Sequence, residues 1–391
     1  MGAARIAEKM TRFSDLLSAG AQELRRHSPP RPRVQPDQPS QPRLIRLDSN
    51  ENPLGPSPLA IDAMRSALAS VNLYPDDDSS ELRRKLAAHY GVQEEQMLVT
   101  AGSAGLLSLL CQTLLGPGLN AVTSECSFVV YSQIVRATGA QLIETPMQND
   151  TFDLAAILAA INPETRLVFL ANPNNPTGTM LEAAEVDNFL ARVPGHVIVA
   201  LDEAYYEYAA HFAALRGVAY SRSLDYVRQG AAVVVLRTFS KVHGLAGLRV
   251  GYGFGPAELL SYCAQMRNTY SVASIAEAAA LAAMNDQNHI DRTLHLNADQ
   301  AQVLTKGLSG LGYRVVPTWA NFLYCDVRKD ARKDVREGVR EDALGFATRL
   351  QNDGAVVRPL GPWGAAHCIR VSIGTEEQNQ FLLDAVRKMN S

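Results

Sequence analysis

The sequence predicts an α/β fold in which a large domain with a mostly parallel seven-stranded sheet is joined to a smaller α+β domain. Seven short, largely apolar runs alternate with stretches of helical periodicity between residues 97 and 255. The runs span 97–100, 121–123, 141–144, 166–170, 196–201, 232–236 and 249–254. Two of the helical stretches between them span 106–115 and 183–192. Strands that alternate with helices are typical of a parallel sheet covered on both faces.

The pattern changes after residue 290, where a second and smaller sheet is predicted. A helical stretch over 291–308 leads into strand-like runs at 313–317, 321–327, 355–359 and 369–373, with helices at 341–352 and 377–389. We therefore predict a large domain over 58–290 and a small domain made of 44–57 and 291–391. Residues 1–43 are predicted to form an N-terminal helix and a connector, because apolar residues up to Leu24 have helical spacing and six prolines follow it.

Composition excludes several classes of protein. The chain has 391 residues, of which 47% are hydrophobic, and a net charge of −3, so no general attraction to nucleic acid or to a membrane surface is expected. No apolar run approaches the roughly 18 residues that span a bilayer. The five cysteines are scattered without a CxxC pair, which indicates neither a disulfide framework nor a metal cluster. We therefore expect a cytoplasmic protein with reduced thiols.

A lysine just past the run 232–236 is the strongest candidate for a catalytic residue. Lys241 lies in a loop with three nearby glycines, and Arg249 follows eight residues later. An ε-amine in a dry pocket loses its proton readily and can form a Schiff base with an aldehyde. Ser240 and Arg249 are potential phosphate donors beside it, and an aldehyde that carries a phosphate describes pyridoxal 5′-phosphate (PLP). The alternative is a solvated lysine in a surface loop.

Two earlier runs are followed by groups that suit such a cofactor. Ser103 and Ala104 follow the run 97–100 at the start of a helix, where backbone N–H groups favour a phosphate. A plain helix cap is the alternative. Phe128 and Tyr131 follow the run 121–123, and an aromatic ring at a strand end either stacks on a planar cofactor or packs in the core.

Amide and carboxylate groups follow the next two runs. The segment 172–178 contains Asn175, two X-Pro steps and a glycine, which predict a rigid turn that can orient an amide toward a ligand. Asp202 follows an apolar run and is costly to bury unless it is paired. A protonated pyridinium nitrogen would be such a partner, with Tyr205 donating to the ring oxygen; a helix N-cap is the alternative for Asp202. Ligands of parallel sheets bind beyond the carboxyl ends of strands, so we expect these groups to share one site.

With these residues laid out, the chain resembles the fold type I PLP-dependent aminotransferases of class I/II, and within them the histidinol-phosphate aminotransferase family. The resemblance covers 44–388. It rests on the segment LDSNENPLGPS at 47–57, the turn NNPTG at 174–178, the segment DEAY at 202–205, and the segments 238–252, 357–360 and 369–375.

The resemblance implies roles around the cofactor ring. Lys241 would form the Schiff base and transfer the proton, and Asp202 would pair with the pyridine nitrogen. Tyr205 and Asn175 would bind the ring oxygen, and Phe128 would stack on the ring. The catalytic set implied is Lys241, Asp202 and Tyr205.

The resemblance also implies how the phosphate and the substrate are held. Ser103, the backbone of Ala104, Ser240 and Arg249 would bind the cofactor phosphate. Tyr74 would reach the phosphate of a neighbouring subunit, which implies a homodimer with shared sites. The implied substrate-binding residues are Asn50, Arg358 and Arg370, with Arg370 as a bidentate fork for a carboxylate or a phosphate and Arg358 as a second anion contact.

The implied reaction transfers the amino group of histidinol phosphate to 2-oxoglutarate, a step of histidine biosynthesis. Two alternatives stay open on this scaffold: an aromatic or other L-amino acid aminotransferase, and a PLP-dependent decarboxylase or oxidase. The chain departs from the family where Ala104 and Gly105 replace an acidic or amide residue and a glutamate. It departs again at Asn268, where the family usually has proline.

Overall fold

The computed structural model describes residues 17–27, 44–328 and 342–390. Most of the predicted N-terminal helix and the Pro-rich connector lie outside the described residues. Within them, no helix is both long enough and apolar enough to cross a membrane.

The strands form one large sheet, one smaller sheet and two short ribbons. In chain order they are β1 (Ile45–Arg46), β2 (Met97–Thr100), β3 (Asn120–Ser124), β4 (Gln141–Thr145), β5 (Met147–Gln148), β6 (Thr151–Phe152), β7 (Thr165–Ala171), β8 (Ile198–Asp202), β9 (Val233–Thr238), β10 (Gly251–Phe254), β11 (Arg314–Val316), β12 (Phe322–Asp326), β13 (Ala355–Val356), β14 (Arg358–Pro359) and β15 (Cys368–Ser372).

The α-helices of the described residues contact strands of both the large and the small sheet. They are α1 (Ala19–His27), α2 (Pro58–Ala67), α3 (Ser80–Tyr90), α4 (Ser103–Leu114), α5 (Val130–Ala137), α6 (Leu154–Ala160), α7 (Ala183–Leu190), α8 (Tyr206–Arg216), α9 (Ser223–Arg228), α10 (Ala257–Gln265), α11 (Ser274–Ala283), α12 (Gln287–Gly310), α13 (Ala343–Asn352) and α14 (Glu376–Asn390).

The large sheet has seven strands in the order β2-β10-β9-β8-β7-β3-β4. Strand β10 runs antiparallel to both of its neighbours, and the other pairs are parallel. This confirms the predicted α/β class and the mostly parallel seven-stranded sheet. The last strand begins at Gly251 rather than at residue 249, because Arg249 has a left-handed backbone with φ of 53° and cannot continue an extended strand.

The central strands β7, β8 and β9 are almost wholly apolar and are buried along nearly their whole length. Strands covered by helices on both faces read as continuous apolar runs, which is why the sequence located them well. Their parallel register brings the carboxyl ends of β7, β8 and β9 to one edge of the sheet. Loops that leave this edge therefore carry the polar segments singled out in the sequence.

A second apolar core lies between the small sheet and the helices α12, α13 and α14. The small sheet is antiparallel with the order β11-β12-β15-β14. Strand β1 pairs in parallel with β13, and Ile45 lies opposite Ala355. This pairing brings the segment after residue 46 to the edge of the large sheet.

The N-terminal helix α1 packs against α5 of the same chain. A side chain at Gly20 would overlap the backbone carbonyl of Ala137, so the close approach of the two helices requires glycine there.

Candidate active site

A cavity of about 370 Å³ opens at the carboxyl edge of the large sheet. The lining residues come from the loops after the central strands, from the segment at 49–51 and from the small sheet. They are Ser49, Asn50, Glu51, Ser103, Ala104, Phe128, Ala171, Pro173, Asn175, Asp202, Ala204, Tyr205, Thr238, Ser240, Lys241, Ala246, Arg249, Arg358, Trp363 and Arg370. Every predicted site residue except Tyr74 is in this set.

Lys241 lies three residues after the end of β9 and is half-buried in the cavity wall. Its Nζ donates to the backbone carbonyl oxygen of Asn50 at 3.1 Å and lies 5.3 Å from the centre of the Tyr205 ring. Asn50 has a left-handed backbone with φ of 55°, a conformation that asparagine tolerates better than most residues. This backbone turn presents the carbonyl to the amine.

Asp202 is the last residue of β8 and is only 5% exposed. Its Oδ2 accepts from the hydroxyl of Tyr131 at 2.9 Å, and its Oδ1 accepts from the backbone N–H of Ala204 at 3.2 Å. Within the described ranges, Asp202 forms no ion pair with an arginine, lysine or histidine. Burial raises the pKa of this carboxyl to about 6, because the charged form is poorly solvated there.

A buried carboxylate without a cation fits the protonated ring nitrogen of PLP. The nitrogen would supply the missing positive charge, and the ionised carboxylate would in turn keep the nitrogen protonated. The donor set around Asp202 therefore suits the cofactor that the sequence predicted.

An anion site lies where helix α4 begins. Ser103 is the first residue of the helix, whose free N–H groups favour a phosphate. The Nη1 of Arg249 donates to Ser240 Oγ at 3.2 Å, and a Cβ at Gly102 would overlap the Arg249 guanidinium. Glycine at this position therefore lets the guanidinium approach the helix N-terminus, and together these groups fit a phosphate.

Phe128 and Tyr131 have different positions, although both follow β3. Phe128 lines the cavity, and its ring meets that of Tyr131 edge-on at 5.5 Å. Tyr131 is fully buried, stacks on Phe169 at 4.6 Å and donates to Asp202. Of these two rings, only that of Phe128 lines the cavity. Tyr131 orients the carboxylate of Asp202 through its hydroxyl.

Asn50 and Tyr205 connect the N-terminal segment to the large sheet. The Nδ2 of Asn50 donates to the hydroxyl oxygen of Tyr205 at 2.9 Å. The backbone N–H of Asn50 donates to Ser372 Oγ at 2.7 Å. Asn50 therefore touches Lys241, Tyr205 and strand β15 at once, which fixes the wall opposite the sheet.

Two arginines of the small sheet line the end of the cavity that this sheet forms. Arg358 and Arg370 are directly opposite each other in the register of β14 and β15. The Nη1 of Arg370 donates to Asn175 Oδ1 at 2.5 Å, and its Nη2 donates to the carbonyl oxygen of Asp48 at 2.8 Å. Arg358 Nη2 donates to the Asp48 carboxylate at 2.9 Å.

Arg370 is buried, yet it forms no ion pair with a carboxylate of the described residues. Burial lowers the pKa of its guanidinium from the usual value, but an arginine stays charged in proteins. A buried cation without a charged partner is costly, so this end of the cavity is built to receive an anion.

Tyr74 lies outside the cavity of its own chain. It is 81% exposed, and its ring stacks on that of Tyr270 at 4.5 Å. The structure thus does not bring Tyr74 together with the other predicted site residues.

Sequence reasoning missed the roles of Tyr131, Asp48 and Trp363 in the site. The role of Tyr131 toward Asp202 and that of Asp48 toward both arginines depend on contacts between distant segments. Trp363 lies on a short turn between β14 and β15 and lines the cavity. No sequence pattern around it predicts a place in the site. Asp48 stood in a segment already singled out, two residues before Asn50, and its charge was the available clue.

Comparisons with known proteins show the family to which the chain belongs. The family model described as aminotransferase class I and II matches residues 42–386. The chain is 40% identical over 349 residues to the histidinol-phosphate aminotransferase of Moorella thermoacetica, covering 88% of this chain and 85% of that protein. It is also 40% identical over 346 residues to histidinol-phosphate aminotransferase 2 of Pseudomonas fluorescens, covering 88% and 89% respectively.

Solved structures share the fold over almost the whole chain. The histidinol-phosphate aminotransferase of Sinorhizobium meliloti, in complex with pyridoxal-5'-phosphate, superposes with a TM-score of 0.80 at 27% identity, covering 97% of this chain and 98% of that one. The aspartate aminotransferase of Thermus thermophilus, with maleate, has a TM-score of 0.76 at 23% identity and covers 98% of both chains. These likenesses confirm the predicted fold type.

Proposed function

The chain belongs to the class I and II aminotransferase family, and from that premise we propose that it is a histidinol-phosphate transaminase. In the proposed reaction, histidinol phosphate and 2-oxoglutarate give imidazole-acetol phosphate and glutamate. Relatives at 37% to 40% identity are named histidinol-phosphate aminotransferases, and this supports the choice of substrate.

The enzyme is a PLP-dependent transaminase. When bound, the cofactor supplies an electron sink for the electrons of the substrate Cα–H bond. We assign to Lys241 Nζ the transfer of the substrate proton, since its amine lies in the cavity wall beside Tyr205. With the cofactor bound, Asp202 would hold the proton on the ring nitrogen, and Phe128 would provide a flat wall beside the ring.

The remaining cofactor contacts follow from the anion site at α4. We assign the phosphate to Ser103, the backbone of Ala104, Ser240 and Arg249. Tyr205 and Asn175, which both line the cavity, are assigned to the ring oxygen. Lys241→Ala should abolish transamination at unchanged fold by circular dichroism; measurable turnover in that variant would contradict the assignment.

One observation supports an anionic substrate more than any other. Arg370 is a buried cation that pairs with no carboxylate of the described residues, and it lies directly opposite Arg358. The phosphate of histidinol phosphate and a carboxylate of glutamate would in turn occupy this end of the cavity. Asn50 lines the same cavity, where its carbonyl oxygen accepts from Lys241 Nζ, and it is assigned to the substrate pocket.

The substrate is tested by steady-state kinetics. We expect kcat/KM with 2-oxoglutarate as acceptor to be higher for histidinol phosphate than for phenylalanine. A preference for phenylalanine would favour the aromatic aminotransferase instead. Incubation with donor alone tests the decarboxylase or oxidase, because a transaminase stops after one equivalent and either of the others continues to turn over.

We further propose that the protein is a homodimer whose subunits share their active sites. Large apolar side chains are exposed on one continuous segment and on the residue stacked against it, and these are Leu68, Val71, Leu73, Tyr74 and Tyr270. Exposed apolar surface of this kind marks contact sites. Tyr74 would then complete the phosphate site of the second copy.

Subunit complementation tests this sharing. Lys241→Ala and Tyr74→Ala chains, each weak or inactive alone, should form a mixed dimer with one intact site. We expect the mixture to be more active than the average of its parents. Light scattering should give a dimer; a monomer, or no gain on mixing, would contradict the proposal.

A further inference from the structure

Trp363 is a residue of the substrate end that the function proposed above does not use. It lines the cavity together with Arg358 and Arg370. Phe128 and Tyr205 are the other aromatic residues of the lining, and both are assigned to the cofactor. Trp363 is therefore the aromatic residue left to meet the substrate.

The position of Trp363 is well fixed. It ends the turn Gly361–Trp363, and its backbone N–H donates to the carbonyl oxygen of Leu360 at 2.9 Å. Its side chain packs against an apolar cluster that includes Leu360, Tyr324 and Cys368. A ring held in this way can present a polar atom with little loss of conformational entropy.

Two donors at this end of the cavity lack acceptors. Trp363 Nε1 and Arg370 Nε are both shielded from solvent, and neither has a hydrogen-bond partner among the described residues. The side chains are neighbours, because the Arg370 guanidinium carbon lies 5.9 Å from the centre of the Trp363 ring. A buried donor without an acceptor is costly and rare, so two in adjacent side chains call for a common acceptor.

The charge and the number of donors identify the class of that acceptor. Arg358 and Arg370 lie opposite each other, and the Asp48 carboxylate is bound by Arg358 and Arg46 rather than by Arg370. A carboxylate offers two oxygens and one charge, whereas a phosphate monoester offers three terminal oxygens and close to two charges at pH 7. The additional donor of Trp363 matches the third oxygen.

We propose that the indole N–H of Trp363 binds the phosphate of the substrate beside Arg370 and so favours a phosphorylated substrate over a carboxylate. This inference rests on the proposed function, because it names the residue that would select histidinol phosphate over glutamate at the shared arginines. Trp363 is thus a specificity-determining residue.

The test compares Trp363→Phe with the wild-type holoenzyme. Phenylalanine keeps an aromatic ring against Leu360 and Tyr324 but removes the N–H. Inorganic phosphate and succinate are used as competitive inhibitors against glutamate. We expect the inhibition constant of phosphate to rise about tenfold, the effect of losing one hydrogen bond to a charged group, and that of succinate to change less than twofold.

The chain offers a matched control, because Trp319 is its other tryptophan. Trp319 also lies over an arginine, 4.2 Å from the guanidinium carbon of Arg216, and it is not part of the cavity lining. Trp319→Phe should leave both inhibition constants unchanged. An equal rise for phosphate and succinate in Trp363→Phe, or no rise for phosphate, overturns the proposal.

A second measurement does not depend on the folding of a Trp363 variant. In the Trp319→Phe holoenzyme, Trp363 is the sole tryptophan, and its emission should change saturably with inorganic phosphate at the concentration that inhibits. Unchanged emission during inhibition overturns the proposal.

The outcomes separate this inference from the proposed function. If the wild type turns over histidinol phosphate and the inhibition constant of phosphate is unchanged in Trp363→Phe, the proposed function is supported and the role of Trp363 is contradicted. A selective loss of phosphate binding in an enzyme that does not turn over histidinol phosphate would support the role of Trp363 and remove the function.

Discussion

Asp202 and Glu203 are neighbouring carboxylates that are both buried but differently surrounded. Glu203 accepts from Arg237 Nη2 at 2.8 Å and Nε at 3.0 Å, and its two oxygens also accept from the hydroxyls of Ser221 and Ser223. Among the described residues, Asp202 accepts from the Tyr131 hydroxyl and a backbone N–H, and no cation pairs with it. The charge of Glu203 is thus neutralised by described residues, and that of Asp202 is not.

The difference separates a structural carboxylate from a functional one. Both the Glu203 and the Arg237 side chains are almost completely buried, so each charge is stabilised by the other and by hydrogen bonds. The charge on Asp202 has no such partner in the part of the chain that the structure describes, and burial raises its pKa to about 6. A protein keeps an uncompensated buried charge where a ligand supplies the compensation, and Asp202 lines the cavity.

The largest effect is expected from breaking the compensated pair. Glu203→Gln leaves the Arg237 charge buried and unpaired, which should lower the free energy of unfolding by about 3–5 kcal/mol. Urea denaturation at fixed protein and cofactor concentration measures this. The double variant Glu203→Gln with Arg237→Leu should recover part of the loss, because no buried charge remains. A double variant as unstable as the single one would show that charge is not the cause.

The next effect is on activity rather than on stability. Asp202→Asn removes the charge that we assign to the ring nitrogen, and kcat/KM should fall about 10²–10³-fold, as when a preorganised group is removed from an active site. The free energy of unfolding of the apoenzyme should stay the same or rise, since an uncompensated charge has been removed. If this variant instead unfolded as readily as Glu203→Gln, the two carboxylates would not differ as described.

The sequence predicted one member of this comparison and not the other. Asp202 was recognised because it ends an apolar strand, and residues at that edge of a parallel sheet meet the ligand. Glu203 directly follows Asp202, and no sequence pattern separates the two carboxylates. The partner of Glu203, Arg237, lies within strand β9. A pairing between two strands is visible only once their register is known.

The same limit applies across the site. Lys241, Asn175 and Ser103 each follow a strand of the large sheet and were located from local pattern, and all line the cavity. Asp48 and Trp363 depend on how the small sheet lies against the large one, which no local pattern encodes. The domain limits and the roles of the site residues stay predictions, and the variants at Asp202 and Lys241 test two of those roles.

The raised pKa of Asp202 predicts a pH dependence of apoenzyme stability. The folded state binds the proton more tightly than the unfolded state, whose carboxyl has the ordinary value of 3.8. The contribution of Asp202 to stability is therefore fully present below pH 3.8 and is lost as the pH rises through about 6. Between pH 5 and 7.5 the loss should be about 1 kcal/mol. Urea unfolding of the wild type and of Asp202→Asn across this range measures the loss. If the free energy of unfolding changed with pH equally in both proteins, the prediction would be contradicted.

The smallest effect is expected from Tyr131→Phe, which deletes the hydroxyl that donates to Asp202 while keeping the ring stacked on Phe169. The hydrogen bond stabilises the ionised carboxylate and so opposes the rise of its pKa; without it the pKa should move further up, and the acidic limb of the kcat/KM profile should move with it. We expect a three- to tenfold lower activity at pH 6 and a smaller loss at pH 8, about the value of one hydrogen bond.

The matched control is Tyr262→Phe, which removes a tyrosine donor to the Glu258 carboxylate on the surface and should leave the profile unchanged. An equal loss at both pH values would mean that Tyr131 acts through packing and not through the charge of Asp202.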